Sequence, residues 1–264
     1  MKRALTIAGS DCSGGAGIQA DLKTFAAFKV FGMSAITAIV AENTVGVQAV
    51  YDLPVDIVIE QIKSCVDDIG TDAVKIGMLS NPEIVIAVSD YIREIKLPNV
   101  VVDPVMVAKS GDPLLTEQAR ETVKKHLLPL ATVITPNKFE AEVLTGMKLN
   151  SLLDFKEAAG QLKETGCGWV VVKGGHLTGD NAIDVIFDGD NFTELPARFI
   201  DTRHTHGTGC TFSSAIAAGL AKEYETIDAI SKAKEYITEA IRENPGLGHG
   251  HGPTNHLTGV RSNW

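Results

Sequence analysis

The chain has 264 residues, a formal net charge of −9 and a hydrophobic content of 44%. An apolar fraction this close to the average of globular proteins excludes an intrinsically disordered chain. The 33 acidic residues outnumber the 24 basic ones, which argues against nucleic acid or an anionic membrane surface as a partner, although a local site can still bind a small anion. The length allows one large α/β domain or two small domains.

Cysteine usage and hydropathy together predict the compartment. The four cysteines are widely separated and form no C-x-x-C pair, so the sequence has neither a disulfide scaffold nor a zinc-binding spacing. The apolar N-terminal stretch stops at Ser10 and Asp11, which is too short for a signal peptide. No apolar run approaches the roughly 20 residues of a membrane span. We therefore expect a cytoplasmic protein without a membrane partner.

Short β-branched runs alternate along the chain with longer segments of helical periodicity. The predicted elements are, in chain order, strand 4–8, helix 18–28, strand 34–40, helix 55–69, strand 73–79, helix 82–95, strand 100–103, helix 116–127, strand 132–135, helices 137–144 and 151–165, strand 169–173, a hairpin over 183–195, and helices 209–221 and 226–244. Continuous apolar strands separated by helices are typical of a mainly parallel sheet covered on both faces. In the hairpin, two short strands flank Asp188-Gly189-Asp190 and belong at one sheet edge. The sequence thus predicts an α/β three-layer αβα sandwich, formed as a single domain over residues 1–264.

Glycine is the one residue type in excess, and its positions are clustered. Fifteen of the 25 glycines fall in the segments 9–17, 166–179, 207–209 and 246–252. The first three adjoin predicted strand ends, and parallel α/β folds bind ligands beyond the carboxyl ends of their strands. The fourth contains His249 but no carboxylate or cysteine companion, so it is predicted to be a packed loop or a flexible tail rather than a metal site.

The first glycine segment lies between a predicted strand and a predicted helix. It matches neither a Walker A loop nor a clean G-x-G-x-x-G motif. Its glycines would let a ligand approach the backbone closely, although an ordinary tight turn has the same composition. Asp21, one turn into the following helix, could be a ligand contact, but such a residue is more often a solvated charge.

The strongest local signal is the Gly207-Thr208-Gly209 turn at the start of a predicted helix. Such a turn presents free N–H groups to one point, with the positive end of the helix dipole behind them. This arrangement favours an anion and would stabilise a phosphoryl group in transfer. Cys210 follows directly, and a thiol at a helix start is predicted to have a lowered pKa. The alternative is a helix entry that contains a buried structural cysteine.

Polar residues also follow three other predicted strands. Asp103 and Lys173 each end a strand, and the lysine could meet a nucleotide phosphate. Asn137 and Glu140 lie three residues apart at a helix start, where both could act near Mg²⁺ or its waters. Taken alone, however, such a pair is more often an ordinary helix cap. Taken together, the four strand ends favour a phosphate site at this sheet edge.

In their order along the chain, these motifs resemble those of the hydroxymethylpyrimidine/phosphomethylpyrimidine kinases, members of the ribokinase-like superfamily. The motifs that carry the resemblance are AGSDCSGGAGIQADLKT at 8–24, AENT at 41–44, KIGML at 75–79, DPVM at 103–106, KSGDPLL at 109–115, KGGH at 173–176 and HGTGC at 206–210.

The resemblance implies an enzyme that uses ATP and Mg²⁺. It would transfer the γ-phosphoryl group to the hydroxymethyl of 4-amino-5-hydroxymethyl-2-methylpyrimidine, and then phosphorylate the monophosphate to the diphosphate used in thiamine biosynthesis. It also implies a homodimer, and the segment 109–115 is expected to close over the site as a lid. Two alternatives remain open, namely a pyridoxine/pyridoxal kinase and a non-catalytic pyrimidine-binding module.

The resemblance also assigns roles to single residues. The pyrimidine site would contain Asp21, Glu42, Gly9, Met78 and Val105. The nucleotide, its phosphates and Mg²⁺ would be bound by Lys173, Asn137, Asp103 and Glu140, with Asp103 and Glu140 as the metal ligands. The catalytic group would be Cys210 as the base together with Gly207, Thr208 and Gly209.

Two of these positions depart from what is usual in related enzymes. Cys210 stands where many sugar kinases of the superfamily carry an aspartate. Glu42 corresponds to a position that is often Gln, and a carboxylate there can accept a hydrogen bond from the 4-amino group but can donate to a ring nitrogen only when it is protonated.

Overall fold

The computed structural model describes residues 1–106, 116–175 and 181–260. The strands in this part are β1 (Arg3–Ala8), β2 (Phe31–Ile36), β3 (Ala38–Asn43), β4 (Gly46–Asp52), β5 (Ala73–Ile76), β6 (Val100–Val102), β7 (Val133–Ile134), β8 (Trp169–Val172), β9 (Asn181–Phe187) and β10 (Phe192–Arg198). The α-helices are α1 (Gly17–Ala27), α2 (Val55–Asp68), α3 (Pro82–Ile95), α4 (Glu117–Thr122), α5 (Lys138–Thr145), α6 (Leu152–Lys163), α7 (Thr208–Ala221) and α8 (Thr226–Arg242). The expected lid, 109–115, and His176 of the KGGH motif lie outside the described residues.

The main sheet has eight strands in the order β10-β9-β8-β7-β6-β5-β1-β2. The six strands from β8 to β2 run parallel, while β9 and β10 add an antiparallel hairpin at one edge. The central strands are short, valine-rich and buried on both faces, as parallel strands between two helical layers must be. The predicted mainly parallel sheet with an edge hairpin is confirmed.

Two hydrophobic cores, one on each face of the sheet, hold the layers together. One core contains Val58, Ile84 and Phe155, which come from α2, α3 and α6. The opposite core contains Phe25 of α1 and Phe212 of α7, with α8 packed beside α7. Successive valines of β6 alternate between the two cores, because neighbouring side chains of a strand point to opposite faces. This arrangement is the predicted αβα sandwich.

The prediction of one continuous strand over 34–40 is wrong. The main-sheet strand β2 ends at Ile36, and the chain then leaves the sheet at Thr37, whose Oγ1 donates to the carbonyl of Met78 at 2.9 Å. From there, β3 and β4 form a separate two-stranded antiparallel sheet. The turn between them is stabilised by Asn43 Oδ1, which accepts from the N–H groups of Val45 and Gly46.

The predicted helix 116–127 begins as expected and then changes its winding. Thr116 caps the helix by accepting a hydrogen bond from the N–H of Ala119. After α4, the chain forms a π-helical turn over Val123–Leu127 and a 3₁₀ turn over Leu128–Leu130. Across the described residues, no helix combines the length and apolar character that a membrane span requires.

Candidate active site

A cavity of about 1230 Å³ opens at the carboxyl ends of the parallel strands. It contains nearly all the site residues predicted from sequence. Those that line it are Gly9, Glu42, Met78, Asp103, Val105, Asn137, Glu140, Lys173, Gly207, Thr208, Gly209 and Cys210. Apart from Glu42, which comes from β3 of the separate sheet, these residues are brought together by the edge at which the parallel strands all finish, although they are spread over about 200 positions of the chain.

The Gly207–Gly209 turn at the start of α7 is fixed by close packing. Gly207 has a φ of +77° and is the N-cap of the helix. A Cβ atom at this position would overlap the carbonyl oxygen of Gly15, so only glycine fits both the dihedral angle and the space. A Cβ atom on Gly209 would lie 3.1 Å from Asp103 Oδ2 and 3.3 Å from Lys173 Nζ. The start of the helix therefore lies beside a charged pair, and of its first N–H groups that of Thr208 already donates to the carbonyl of Thr205 at 3.3 Å.

That pair consists of Asp103 after β6 and Lys173 after β8. Lys173 Nζ donates to Asp103 Oδ1 at 3.0 Å, and Thr135 Oγ1 donates to the same oxygen at 3.1 Å. Burial opposes the lysine's charge, but Asp103 and Glu140 raise the pKa of Lys173 above its ordinary value. The lysine is thus held as a cation at the cavity wall, where it can meet a phosphate oxygen.

Asn137 and Glu140 form a reciprocal cap at the start of α5. The N–H of Glu140 donates to Asn137 Oδ1 at 2.9 Å, and the N–H of Asn137 donates to Glu140 Oε2 at 2.7 Å. The helix-cap interpretation of this pair is confirmed, and both residues also line the cavity. One Glu140 oxygen and the Asn137 oxygen are therefore already used by the backbone.

The donor set at this position suits a divalent cation. Burial and the nearby Asp103 raise the pKa of Glu140 to about 7, while Lys173 opposes the rise. The carboxyl groups of Glu140 and Asp103 thus lie close enough to interact with each other, and Lys173 interacts with both. Carboxylate oxygens are the ligands that Mg²⁺ prefers, and it keeps several waters while binding one or two of them together with phosphates.

Asp21 does not lie where the sequence interpretation expected it. Its side chain is 0% exposed and is not among the cavity-lining residues. One carboxylate oxygen accepts from Thr6 Oγ1 at 2.6 Å and from Lys75 Nζ at 2.9 Å, and the other accepts from Ser214 Oγ at 2.6 Å. With its oxygens bound by these groups beneath the cavity, Asp21 cannot contact a pyrimidine directly.

Lys75 is a site residue that the sequence interpretation missed. Its side chain is also 0% exposed, yet the residue contributes to the cavity wall. Although burial opposes the charge, Asp21, Cys210 and Asp103 raise its pKa above the ordinary range. A lysine within the otherwise apolar strand AVKI was the signal in the sequence, because a buried lysine needs a carboxylate partner.

The predicted lowered pKa of Cys210 is wrong. Burial raises the pKa of the thiol to about 12, and Asp21 and Asp103 add to the rise, whereas Lys75 opposes it. The helix start favours the thiolate, but desolvation and two neighbouring acidic groups outweigh it. Cys210 nevertheless lines the cavity beside Gly209, where it can meet a substrate hydroxyl.

The far end of the cavity combines an apolar wall with the acidic group of Glu42. Met78 and Val105 pack with Val40 of β3, and a Cβ atom on Gly9 would lie 2.7 Å from Met78 Cε. The absence of a side chain at Gly9 therefore leaves room beside the methionine. Glu42, also on β3, is half-buried and lines the same cavity. A flat ring with a polar edge fits such a surface.

Asp11 and His206 lie next to Glu42. A carboxylate oxygen of each acid and a ring nitrogen of the histidine all lie within 4.8 Å of one another. Asp11 Oδ2 is bonded to His206 Nε2 at 2.9 Å and accepts from the N–H groups of Gly15 and Ala16. The first glycine segment is therefore wrapped around the Asp11 carboxylate and joined to the segment that precedes the Gly207 turn.

The fourth glycine segment is a packed loop, which confirms one of the two interpretations offered from sequence. The N–H of His251 donates to the carbonyl of Thr44 at 2.7 Å. Cβ atoms on Gly248 or Gly250 would overlap Thr44, and one on Gly252 would overlap His204. These glycines let the C-terminal segment lie against the tip of the β3–β4 sheet and at the mouth of the cavity.

Comparison with known proteins agrees with this arrangement. The phosphomethylpyrimidine kinase family model matches residues 11–255. The hydroxymethylpyrimidine/phosphomethylpyrimidine kinase of Bacillus subtilis is 49% identical over 261 residues, which cover 98% of this chain and 96% of that protein. Pyridoxine kinase of the same organism is 47% identical over 260 residues, covering 97% of this chain and 96% of that protein.

A solved structure extends the similarity to three dimensions. The ADP complex of Bacillus subtilis pyridoxal kinase has a TM-score of 0.91 and 47% identity, and the alignment covers 97% of this chain and 98% of that chain. The predicted ribokinase-like fold is confirmed by this structural similarity. With a family match over almost its whole length, the chain is a member of the phosphomethylpyrimidine kinase family and an enzyme that transfers phosphoryl groups.

Proposed function

We propose that the protein transfers the γ-phosphoryl group of ATP to 4-amino-5-hydroxymethyl-2-methylpyrimidine and then to its monophosphate, as a step of thiamine biosynthesis. The observation that carries the proposal is the order of groups along one cavity. A small apolar end with Glu42 is joined to a charged end with Lys173 and Asp103, and the Gly207–Gly209 turn lies next to that charged pair. Phosphoryl transfer needs this order of acceptor, anion-stabilising groups and nucleotide.

The nucleotide belongs at the end formed by β9, β10 and α8. Apolar side chains suited to a purine line the cavity there, namely Ala197, Phe199, Ile200, Ile237 and Ile241. Gly174 and Gly175, which follow Lys173 after the end of β8, also line the cavity. From this position the phosphates would reach Lys173, with Asn137 at the same strand edge.

We assign Asp103 and Glu140 as the residues that would hold Mg²⁺. The cation supplies charge neutralisation for the phosphate oxygens when it is bound. Asp103 is already oriented by Thr135 and Lys173, so its carboxylate stays fixed at the cavity wall. Glu140 is fixed by the helix cap of α5.

The reaction step follows from groups that converge at the start of α7. The N–H groups of Gly207 and Gly209 would stabilise the charge that develops on the transferred group. Cys210 would accept the proton of the substrate hydroxyl in its thiolate form, and the positive charge of Lys75 lowers the cost of forming that thiolate. Most of the rate enhancement would come from position and charge, because phosphoryl transfer requires little covalent participation by the protein.

Asp21 has a different role in this proposal from the one its sequence motif implied. Since both of its oxygens are occupied by Thr6, Lys75 and Ser214, it would act as the buried counter-ion of Lys75 rather than as a pyrimidine ligand. The pyrimidine ring would instead lie against Gly9, Met78 and Val105, with Glu42 at its polar edge. The same one-domain framework over the whole chain would serve both phosphorylation steps.

The exposed face of the β3–β4 sheet supports a homodimer. Tyr51 of β4 lies opposite Ile39 of β3, so the two side chains share one face of this sheet, where they are 67% and 47% exposed, respectively. Apolar side chains clustered on one small sheet are typical of a protein–protein contact. Light scattering should give the mass of two chains, and Tyr51→Asp should shift it to one.

Localisation and the remaining partners complete the proposal. We expect a cytoplasmic enzyme whose partners are the pyrimidine and ATP. Nucleic acid is not expected as a partner, because the net charge of −9 disfavours it.

One assay separates the proposed function from its nearest alternative, a pyridoxine or pyridoxal kinase, which the 47% identity to pyridoxine kinase favours as the second candidate. ATP and Mg²⁺ would be supplied with the pyrimidine alcohol, its monophosphate or pyridoxal, and each phosphorylated product would be quantified. The proposal expects both pyrimidines to react. Phosphorylation of pyridoxal alone would favour the second candidate, and pyrimidine binding without any ATP turnover would favour a binding module.

A further inference from the structure

The Glu42 carboxyl, at the apolar end of the cavity, lies beside a second acid and a histidine. Among the described residues, the titratable side chains that face the Glu42 carboxyl are Asp11 of the β1–α1 loop and His206 of the segment before α7. The thiol of Cys12 lies 3.2 Å from the backbone carbonyl oxygen of Glu42. Glu42 is therefore placed beside another acid that is itself bound in a network.

Asp11 is held there as an anion. Its Oδ1 accepts from the N–H of Ser13 at 2.8 Å, and its Oδ2 accepts from the N–H groups of Gly15 and Ala16 at 2.9 and 2.7 Å. Although burial alone would raise it, hydrogen bonds from His206 and from the loop lower the pKa of Asp11 to about 2. Because the loop is wrapped around this carboxylate, its charge cannot move away from Glu42.

The fixed Asp11 carboxylate changes the protonation of Glu42. Burial and the charge of Asp11 raise the pKa of Glu42 to about 7, while His206 opposes the rise. An ordinary glutamate would be fully ionised at neutral pH. Here, a proton can remain on the carboxyl group that faces the cavity.

The protonated group matches the chemistry of an aminopyrimidine. The 4-amino group is a donor, and the adjacent ring nitrogen is an acceptor. A carboxylic acid offers an acceptor and a donor side by side, whereas a carboxylate offers only acceptors and would leave the ring nitrogen facing a lone pair. Two acceptors that face each other in a buried site, with no hydrogen atom between them, weaken binding because neither forms a hydrogen bond.

We propose that the enzyme binds the aminopyrimidine together with one proton, held between the Glu42 carboxyl and the ring nitrogen beside the amino group. The fixed Asp11 carboxylate keeps this proton in the site, and Glu42 is the residue that selects aminopyrimidines. The inference rests on the proposed function, since it concerns the same ring-binding end of the cavity.

Isothermal titration calorimetry of the full-length protein with the pyrimidine alcohol tests this proposal. Measurements at pH 8 in buffers of different ionisation enthalpy count the protons taken up on binding. The wild type should take up close to one proton, and Glu42→Gln, whose amide already offers a donor and an acceptor, should take up none. Glu60→Gln, the same change at an exposed glutamate outside the cavity, is the matched control and should keep the proton uptake.

The affinities provide a second measurement. The ratio of the wild-type Kd to the Glu42→Gln Kd cancels the ring's own titration, and it should rise about tenfold from pH 6 to pH 8, as the acid form becomes depleted. Pyrimidine binding and phosphorylation by the wild type without proton uptake would overturn the proposal and leave the proposed function intact. A complete absence of pyrimidine binding would overturn both. If Glu42→Gln does not fold, the wild-type proton count decides alone.

Discussion

Lys75 Nζ lies 2.9 Å from Asp21 Oδ2, and both side chains are fully buried beneath the cavity. The pair joins β5 to α1, and Ser214 of α7 donates to the second oxygen of Asp21. It therefore ties three elements together at the floor of the active site, where a charge without a partner would be strongly unfavourable.

The buried pair predicts a large loss of stability when one partner is removed. Lys75→Met leaves an uncompensated carboxylate, so the free energy of unfolding should fall by about 3–5 kcal/mol in urea titrations. Asp21→Asn combined with Lys75→Met should recover much of the loss, because neither buried charge remains. Lys63→Met, which removes an exposed pair with Glu60, is the control and should leave the midpoint unchanged. Equal midpoints for the wild type and Lys75→Met would contradict this account.

Substitution of Cys210 should lower kcat rather than the affinity for the substrates. Cys210→Ala is expected to lower kcat by about 10²–10⁴, the usual contribution of a general base. Since the pKa of the thiol is raised to about 12, the thiolate fraction grows tenfold per pH unit below that value, and the wild-type kcat should increase toward alkaline pH. Cys210→Asp should retain part of the activity with a flatter profile, because a carboxylate is already ionised. Near-normal turnover by the alanine variant would exclude Cys210 as the base.

Lys173 is expected to bind a phosphate group of the nucleotide. Lys173→Gln removes a charge-assisted hydrogen bond to a phosphate, so the KM for ATP should rise about 10- to 100-fold. Binding of the pyrimidine alone, measured calorimetrically without ATP, should change little, because the ring lies at the other end of the cavity. Steady-state kinetics with ATP as the varied substrate make the test, and an unchanged KM and kcat would place the nucleotide elsewhere.

Glu42 should also change how the free energy of unfolding depends on pH. Its pKa rises from 4.5 to about 7 on folding, so the folded state binds the proton more tightly than the unfolded chain does. The carboxyl group therefore lowers stability as the pH rises from about 4.5 to 7. Glu42→Gln should be more stable than the wild type by up to about 3 kcal/mol at pH 8, and the difference should vanish near pH 4. Urea unfolding at both pH values measures it, and equal stabilities at pH 8 would refute the raised pKa.

Two glycine-to-alanine changes should have opposite effects. A Cβ atom at Gly250 would overlap the carbonyl of Thr44, so Gly250→Ala should displace the C-terminal loop, lower the melting temperature and weaken pyrimidine binding. Gly160, inside α6, has no heavy atom within 4 Å of its Cβ position, so Gly160→Ala should stabilise the protein by about 0.5–1 kcal/mol. Calorimetric melting of both variants makes the comparison. An unchanged melting temperature for Gly250→Ala would show that the C-terminal loop accommodates the added methyl group.

The secondary structure and the edge of the sheet that carries the site could be predicted from local patterns. Valine-rich runs such as Val100–Val102 must be buried on both faces, and glycines and polar residues that follow them must meet at one edge. The Asp188-Gly189-Asp190 turn likewise predicted the edge hairpin. By contrast, the switch at Thr37 from one sheet to another depends on a contact with Met78, which is distant in sequence.

The sequence by itself determined the layered α/β architecture and the residues gathered around the phosphate site, because periodicity and strand-end position are local properties. Only the tertiary structure decided the charge states. Asp21 became the buried counter-ion of Lys75, the pKa of Cys210 rose instead of falling, and Glu42 came to lie beside a fixed anion. The physical reason is that desolvation and Coulomb interactions depend on which groups the fold brings within a few ångströms, and no local pattern encodes that distance.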